Sequence, residues 1–346
     1  MISILDNDFS QLNTFIEKLN PTQLLILVDE NTHEHCLPVL LGNLETEIPF
    51  EILEIEAGEE MKTLETAAQL WEILTDFKTD RKALMINLGG GVITDLGGFI
   101  SSTYKRGIPF INIPTTLLGM CDASIGGKTG IDHQYLKNII GTFSEPEHIF
   151  VFPDFLKTLP FGELRSGFAE MLKHGLIADK KHWKDLQNMT ALTAENIFPF
   201  IETSMKIKQN VVKIDFREEN IRKTLNFGHT VGHAIESLFL KKNTPILHGE
   251  AVAMGMICET QISLLENLLS PNDTEEIIEG IRRFFPKLTI SDFTEEEILG
   301  LMNNDKKNEG GKINFSLLTS IGISVFDQSI DLKNIATALH FYQNLA

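Results

Sequence analysis

The sequence predicts an α/β domain built on a parallel sheet, followed by a mostly α-helical domain. Three observations carry this reading. Short apolar runs of strand length alternate with helical periodicities over the first 150 residues. From about residue 160, long helical periodicities dominate and a single strand pair interrupts them. Pro153 and Pro160 bracket the change of texture, as prolines do at such transitions. The domains are accordingly placed at 1–157 and 158–346.

Leu24–Val28 reads as a buried strand and Phe50–Ile55 as a second with alternating polarity. Leu64, Ala67, Ala68, Trp71 and Leu74 recur at helical spacing within 61–78. Ala83–Leu88 is a third strand, 92–103 a helix and Ile108–Ile113 a fourth strand. Strands and helices in this alternation imply a parallel sheet covered on both faces. Helices are expected at 163–178, 194–215, 229–240, 249–268, 273–285, 294–303 and 331–345, with strands at Lys312–Leu318 and Ile323–Phe326. Ligands of such folds bind beyond the carboxyl ends of the strands, here a cleft between the domains.

A hydrophobic fraction of 42% is enough for a full core. The net charge of −18 argues against a nucleic-acid partner. It does not exclude a small phosphorylated substrate, for which one local basic pocket suffices. Cys36, Cys121 and Cys258 are odd in number and widely spaced, which fits a reducing cytoplasm. The N-terminus lacks the features of a signal peptide and no apolar run reaches membrane-spanning length, so no membrane partner is expected.

The densest chemistry lies in Asn226-Phe-Gly-His229-Thr-Val-Gly-His233-Ala-Ile-Glu236, followed by His248-Gly-Glu250. On a helix, His229 and His233 share a face, and the break at 243–245 lets His248 return to them. Three imidazoles so close suit a divalent metal. A lone H-x3-H pair is more often two ordinary histidines, and Thr230 replaces the glutamate of an H-E-x-x-H protease. Glu170 is the carboxylate candidate.

Gly89, Gly90 and Gly91, with Val92 and Asp95, stand between a strand and a helix. Backbone amides there can approach a pyrophosphate, although a tight turn needs the same glycines. Gly97 and Gly98 suit close helix packing. Gly58, Glu59 and Lys62 follow the preceding strand; their carboxylate could hold ribose hydroxyls or merely start a helix. Thr115 and Thr116 follow the next strand, where hydroxyls bind nucleotide or cap a helix. Gly126-Gly127-Lys128-Thr129 is similar to the end of a P-loop, but Cys121 or Asp122 occupies the place of its first glycine, so a nucleoside triphosphatase is rejected. Lys128, Lys137 and Asn138 remain an anion or polyol site. Arg106, Lys173, Lys208, Arg222 with Asn226, and Lys306-Lys307 matter only if the fold gathers them.

Ten colinear motifs, including GGGVITDLGGF (89–99), YKRG (104–107), DASIGGKTG (122–130), SGFAEMLKH (166–174), LNFGHTVGHAIE (225–236), HGEAVAMGM (248–256) and DKKNEGGK (305–312), resemble the 3-dehydroquinate synthases. The resemblance runs from about residue 57 to 320. It implies a dehydroquinate synthase-like fold, with a Rossmann-like NAD-binding domain and a helical metal- and substrate-binding domain. It also implies the second reaction of the shikimate pathway to the aromatic amino acids.

By the same resemblance, Glu170, His229 and His248 ligate zinc or cobalt, and His233 serves the phosphate side of the substrate. Asp122, Lys128, Asn138, Lys173, Lys208, Arg222, Asn226 and one of Lys306 or Lys307 match the substrate pocket. Arg106 matches a phosphate-reaching residue at the interface of a homodimer. Gly58, Glu59, Lys62, Gly89–Gly91, Val92, Asp95, Thr115, Thr116, Asp122, Lys128, Lys137, Phe155 and Thr158 match NAD contacts. Gly162 departs from the arginine common there, and Arg165 stands ready to replace its charge. The implied substrate is 3-deoxy-D-arabino-heptulosonate 7-phosphate. The rival readings are another sugar-phosphate cyclase, such as 2-deoxy-scyllo-inosose synthase, and a metal-dependent polyol dehydrogenase.

Overall fold

Strands form where the apolar runs are. The computed structural model describes residues 1–133, 136–303 and 312–345. The chain divides into two units, Met1–Pro160 and Phe161–Ala346. The first contains β1 (Ile2–Ile4), α1 (Ser10–Leu19), β2 (Leu24–Asp29), α2 (Glu30–His35), α3 (Leu37–Asn43), β3 (Phe50–Ile55), α4 (Leu64–Asp76), β4 (Leu84–Gly89), α5 (Gly91–Thr103), β5 (Phe110–Pro114), β6 (Lys128–His133), β7 (Leu136–Phe143) and β8 (His148–Val151).

Six strands make one sheet in the order β1-β8-β5-β4-β2-β3, and every pairing in it is parallel. β2 and β4 lie inside, and all their residues but Asp29 are buried, as the unbroken apolar runs require. The four expected strands all lie in this sheet, the fourth shifted to Phe110–Pro114. β1 and β8 escaped notice because three or four residues show no periodicity. β6 and β7 form a separate antiparallel hairpin. Gly126, Gly127, Gly130 and Gly141 dilute its apolar pattern.

Helix α5 lies hard against its neighbours. A Cβ at Gly97 would stand 1.9 Å from Asn87 Oδ1, and one at Gly98 2.5 Å from Thr129 Cγ2. Both glycines therefore serve packing. They let Ile93, Leu96 and Ile100 reach the core formed with Leu25, Leu27 and Met85.

The second unit contains α6 (Phe161–Ala178), α7 (Lys180–Gln187), α8 (Ala194–Ile214), α9 (His229–Lys241), α10 (His248–Leu265), α11 (Pro271–Arg282), α12 (Glu295–Asn303), β9 (Lys312–Ser320), β10 (Ile323–Asp331) and α13 (Leu332–Asn344). The seven expected helices are present within a few residues. The strand pair is antiparallel and longer than its apolar residues suggested. α7 was hidden by its charge: only Trp183 and Leu186 mark an apolar stripe, and the Asp179 carboxylate caps it by accepting from the Lys181 and His182 amides. No described helix is long and apolar enough to cross a membrane. All three cysteines are buried thiols.

His182 hydrogen-bonds Ser204 Oγ at 3.2 Å, on whose other side stands His174 Nδ1 at 3.1 Å. Burial, and then the neighbouring His174, push the His182 imidazole down to about 4. The unfolded chain therefore binds the proton first. Stability is fully present above about pH 6.5 and is lost as pH falls from there toward 4. Urea unfolding at pH 7 and pH 5 is expected to show this loss, and His182→Gln is expected to reduce it.

Candidate metal centre

Glu170 sits in the middle of α6 and is completely buried. A buried carboxylate must be compensated. Lys173, one turn on, ion-pairs with Glu170 Oε2 and is itself buried. Two imidazoles approach the other oxygen: His229 Nε2 lies 3.4 Å and His248 Nε2 3.5 Å from Oε1. The ligand-capable atoms of Glu170, His229 and His248 all lie within 4.8 Å of one another. Around tetrahedral zinc, with bonds of about 2.1 Å, ligand atoms are roughly 3.4 Å apart. The donor set and its spacing fit such an ion.

Both histidines are the first residues of their helices, α9 and α10. His229 Nδ1 lies 3.1 Å from the Phe227 carbonyl. A carbonyl only accepts, so Nδ1 carries the hydrogen and Nε2 presents its lone pair toward Glu170. His248 Nδ1 lies 3.4 Å from Glu236 Oε2, the carboxylate–imidazole arrangement that orients metal-binding histidines. Burial, then Lys173, holds His229 well below its usual range. Burial also opposes protonation of His248, but Glu170 and Glu236 outweigh it and push the imidazole up to about 10. A position where two carboxylates favour a positive charge on the imidazole is one that also suits a cation.

His233 is exposed, with its ring 5.0 Å from that of His229 and 5.9 Å from that of His248. His233, Glu236 and His248 form a second group at ligand spacing. The Glu170 group is the better centre because its carboxylate is completely buried.

Three glycine contacts gather these helices. A Cβ at Gly249 would lie 2.2 Å from the Ser166 carbonyl of α6. One at Gly255 would lie 1.9 Å from the Gly228 carbonyl, and one at Gly232 3.0 Å from the Ala251 carbonyl. Ser166 Oγ also accepts the Gly249 amide at 2.9 Å. α6, α9 and α10 thus meet backbone to backbone beside Glu170, His229 and His248.

The expected cationic residues of this unit lie on α8 and on the turn after it. Lys208 is buried on α8, which packs against the turn Ile221–Asn226. Arg222 is buried there, and its Nη1 donates to the Phe216 carbonyl at 2.5 Å. Asn226 Nδ2 donates to Glu218 Oε1 at 2.7 Å. Asp215 shapes the turn: its carboxylate accepts from the Glu219, Asn220 and Arg222 amides. Arg165 pairs with Glu250 at 2.5 Å, three residues beyond Gly162. Lys306 and Lys307 lie outside the described residues.

In the first unit, Gly89 ends β4, Gly90 caps α5, and Gly91 and Val92 open it. A Cβ at Gly90 would stand 2.9 Å from Thr116 Cγ2, so the two expected nucleotide loops touch. Thr115 is buried and its amide donates to the Gly89 carbonyl at 3.1 Å. Lys62 is buried, 2.9 Å from Asp95 and 3.5 Å from Glu59, which also lies 3.7 Å from Lys137. Gly58 has φ +130°. A positive-φ glycine beside Glu59 and a small-residue cradle at a helix N-terminus fit a dinucleotide. Phe155 is buried, and its carbonyl accepts from Thr158 Oγ1.

Lys128 begins β6 rather than a helix, so the lysine of a P-loop has no counterpart here. The hairpin register sets Lys128 opposite Phe143, whereas the Asn138 amide bonds Asp132 at 2.7 Å. Lys128 and Asn138 therefore lie at opposite ends of the hairpin. Asp122 lies on the π-turn Gly119–Ala123, and Arg106 is exposed at the end of the turn Tyr104–Arg106.

Residues 52–166 match the family described as 3-dehydroquinate synthase N-terminal, and residues 167–308 that described as 3-dehydroquinate synthase C-terminal. The chain belongs to the 3-dehydroquinate synthase family. Within that family, the 3-dehydroquinate synthase of Parabacteroides distasonis is 40% identical over 336 residues, 96% of this chain and 95% of that protein. Among solved structures, 2-epi-5-epi-valiolone synthase from Streptomyces hygroscopicus subsp. jinggangensis, with NAD+ and Zn2+ bound, superposes with a TM-score of 0.86 at 26% identity, covering 99% of this chain and 96% of that one. A 2-deoxy-scyllo-inosose synthase complexed with carbaglucose-6-phosphate, NAD+ and Co2+ gives a TM-score of 0.86 at 23% identity over 98% and 95% of the two chains, a likeness of fold.

Sequence reasoning passed over Glu236 as an orienting residue, and did not single out Asp215, Glu218 or Glu259. Glu236 was visible as the end of the histidine motif. The other three act through backbone amides or a neighbouring amide, and no spacing rule announces such contacts.

Proposed function

We infer that this chain is a 3-dehydroquinate synthase. It converts 3-deoxy-D-arabino-heptulosonate 7-phosphate to 3-dehydroquinate and phosphate, as a cytoplasmic homodimer using NAD and one zinc or cobalt ion. The observation that carries the reading is the buried Glu170 carboxylate facing two Nε2 atoms at 3.4 and 3.5 Å, in a chain that spans nearly the whole length of its relatives.

Glu170, His229 and His248 would hold the cation, and Gly89–Gly91 with Thr115 and Thr116 the dinucleotide. When bound, these groups supply a Lewis acid for the alcohol at C5 and a hydride acceptor that later returns its hydride. Oxidation at C5 acidifies the C6 proton, phosphate leaves, the ketone is reduced, the ring opens and an aldol step closes the carbocycle. The substrate phosphate takes the C6 proton itself, so no strong side-chain base is required. Arg222 suits a bidentate grip on an anion, and Lys208 acts as a point charge. His233, exposed with its ring near those of His229 and His248, would donate to phosphate. Lys173 pairs with Glu170 and offsets the cost of burying that carboxylate.

The test is incubation with the heptulosonate phosphate, NAD in excess over substrate, and zinc. Phosphate release and carbocycle formation should match one to one with no net rise in nicotinamide absorbance. A stoichiometric rise would indicate a polyol dehydrogenase and overturn the reading.

A further inference from the structure

Helix α9, which begins with the ligand His229, has glycine at its N-cap and no acidic residue in its first turn. Its first amides would be orphans. They are satisfied from another helix. Glu259 of α10 is fully buried, and its Oε2 accepts the Gly228 amide at 2.6 Å while Oε1 accepts the Val231 amide at 3.2 Å. The Thr230 amide also bonds this carboxylate. The three donors flank His229 in sequence. The chain is fixed there from both directions, because Gly228 has φ +82° and its carbonyl lies against Gly255 of α10.

We propose that Glu259 is a positioning residue for the metal centre, clamping the first turn of α9 so that His229 Nε2 faces Glu170. The proposal rests on the metal reading given above. α10 then serves the centre twice, because it bears His248 at its first residue and Glu259 eleven residues on. Eleven residues are about three turns, so both side chains leave one face of the helix. Glu259 touches neither substrate nor cation. Its effect passes through the backbone of residues 228–231, which sets where the His229 ring starts and lets Nδ1 reach the Phe227 carbonyl.

A carboxylate with two accepting oxygens suits three N–H donors. Glutamine at 259 keeps the shape but turns an NH2 group toward one of them, and the first turn must shift. Supporting residues of this kind alter metal affinity by about 10- to 100-fold. The test uses the full chain stripped of metal, with zinc affinity measured by competition against a chromogenic chelator for wild type, Glu259→Gln and His229→Ala. Glu259→Gln is expected to bind zinc about 10- to 100-fold more weakly and to regain most of its kcat at saturating zinc. A folded Glu259→Gln with wild-type zinc affinity would overturn the proposal, leaving Glu259 a stabilising cap only. If circular dichroism shows that variant unfolded, Glu259→Asp, which keeps the charge but shortens the reach, is scored by the same two outcomes. A wild-type protein without a zinc that His229→Ala removes would defeat the metal reading and this proposal together. A wild type with that zinc, and a Glu259→Gln equal to it, would defeat the proposal alone.

Discussion

His229→Ala is expected to abolish zinc binding and to lower kcat/KM by more than about 100-fold, beyond the usual loss for a supporting residue. His229 supplies one of three converging donors, and its removal leaves Glu170 and His248 alone. Two ligands do not make a closed site for zinc. Glu170 would remain buried against Lys173, so the fold should survive. The measurement is zinc content and turnover beside circular dichroism. A folded variant that keeps one tightly bound zinc and full turnover would remove Glu170, His229 and His248 from the chemistry.

Gly249→Ala should be severely damaging although it alters no polar side chain. Its Cβ would lie 2.2 Å from the Ser166 carbonyl and 2.4 Å from the Ser166 Cα, both backbone atoms. α10 must withdraw from α6 by on the order of 1 Å to restore ordinary contact, and overpacking of this kind costs about 1–3 kcal/mol. Glu170 rides on α6 and His248 on α10, so their spacing opens by far more than the ~0.2 Å that metal sites tolerate. Chemical denaturation should show the loss of stability, and chelator competition at least about tenfold weaker zinc binding, the equivalent of ~1.4 kcal/mol. An alanine variant with unchanged zinc affinity would mean that the two helices adjust without disturbing the ligands.

Much of this was legible in the sequence, and what was hidden has physical reasons. The buried strands at 24–28 and 83–88 announced themselves by unbroken apolar runs. The helix at 163–178 was clear as well. The histidines were harder. Spacing puts His229 and His233 on one face but cannot say which imidazole turns inward, because that depends on how the helix start is tied down. For His229 the Phe227 carbonyl meets Nδ1, and the Glu259 carboxylate accepts the Gly228 and Val231 amides on either side, contacts that only the fold brings together. Glu259 itself gave no sign. It follows Ala251-Val-Ala-Met-Gly-Met-Ile-Cys258 in a helix buried on nearly every side, where a lone acid has no periodic meaning. The hairpin at 128–143 was masked by its glycines, and α7 by its lysines.

The pairing of β1 with β8 sets a timetable for folding. Ile2 lies beside Ile149 and Ile4 beside Val151, so β1 and its sheet neighbour among the described residues stand about 150 residues apart in the chain. Contacts of such separation are slow to close. Until then, β8 shows its bare flank to any extended chain, a recognised route to aggregation. β1 thus acts as a late seal on the sheet, and removing it should cost soluble yield before it costs chemistry.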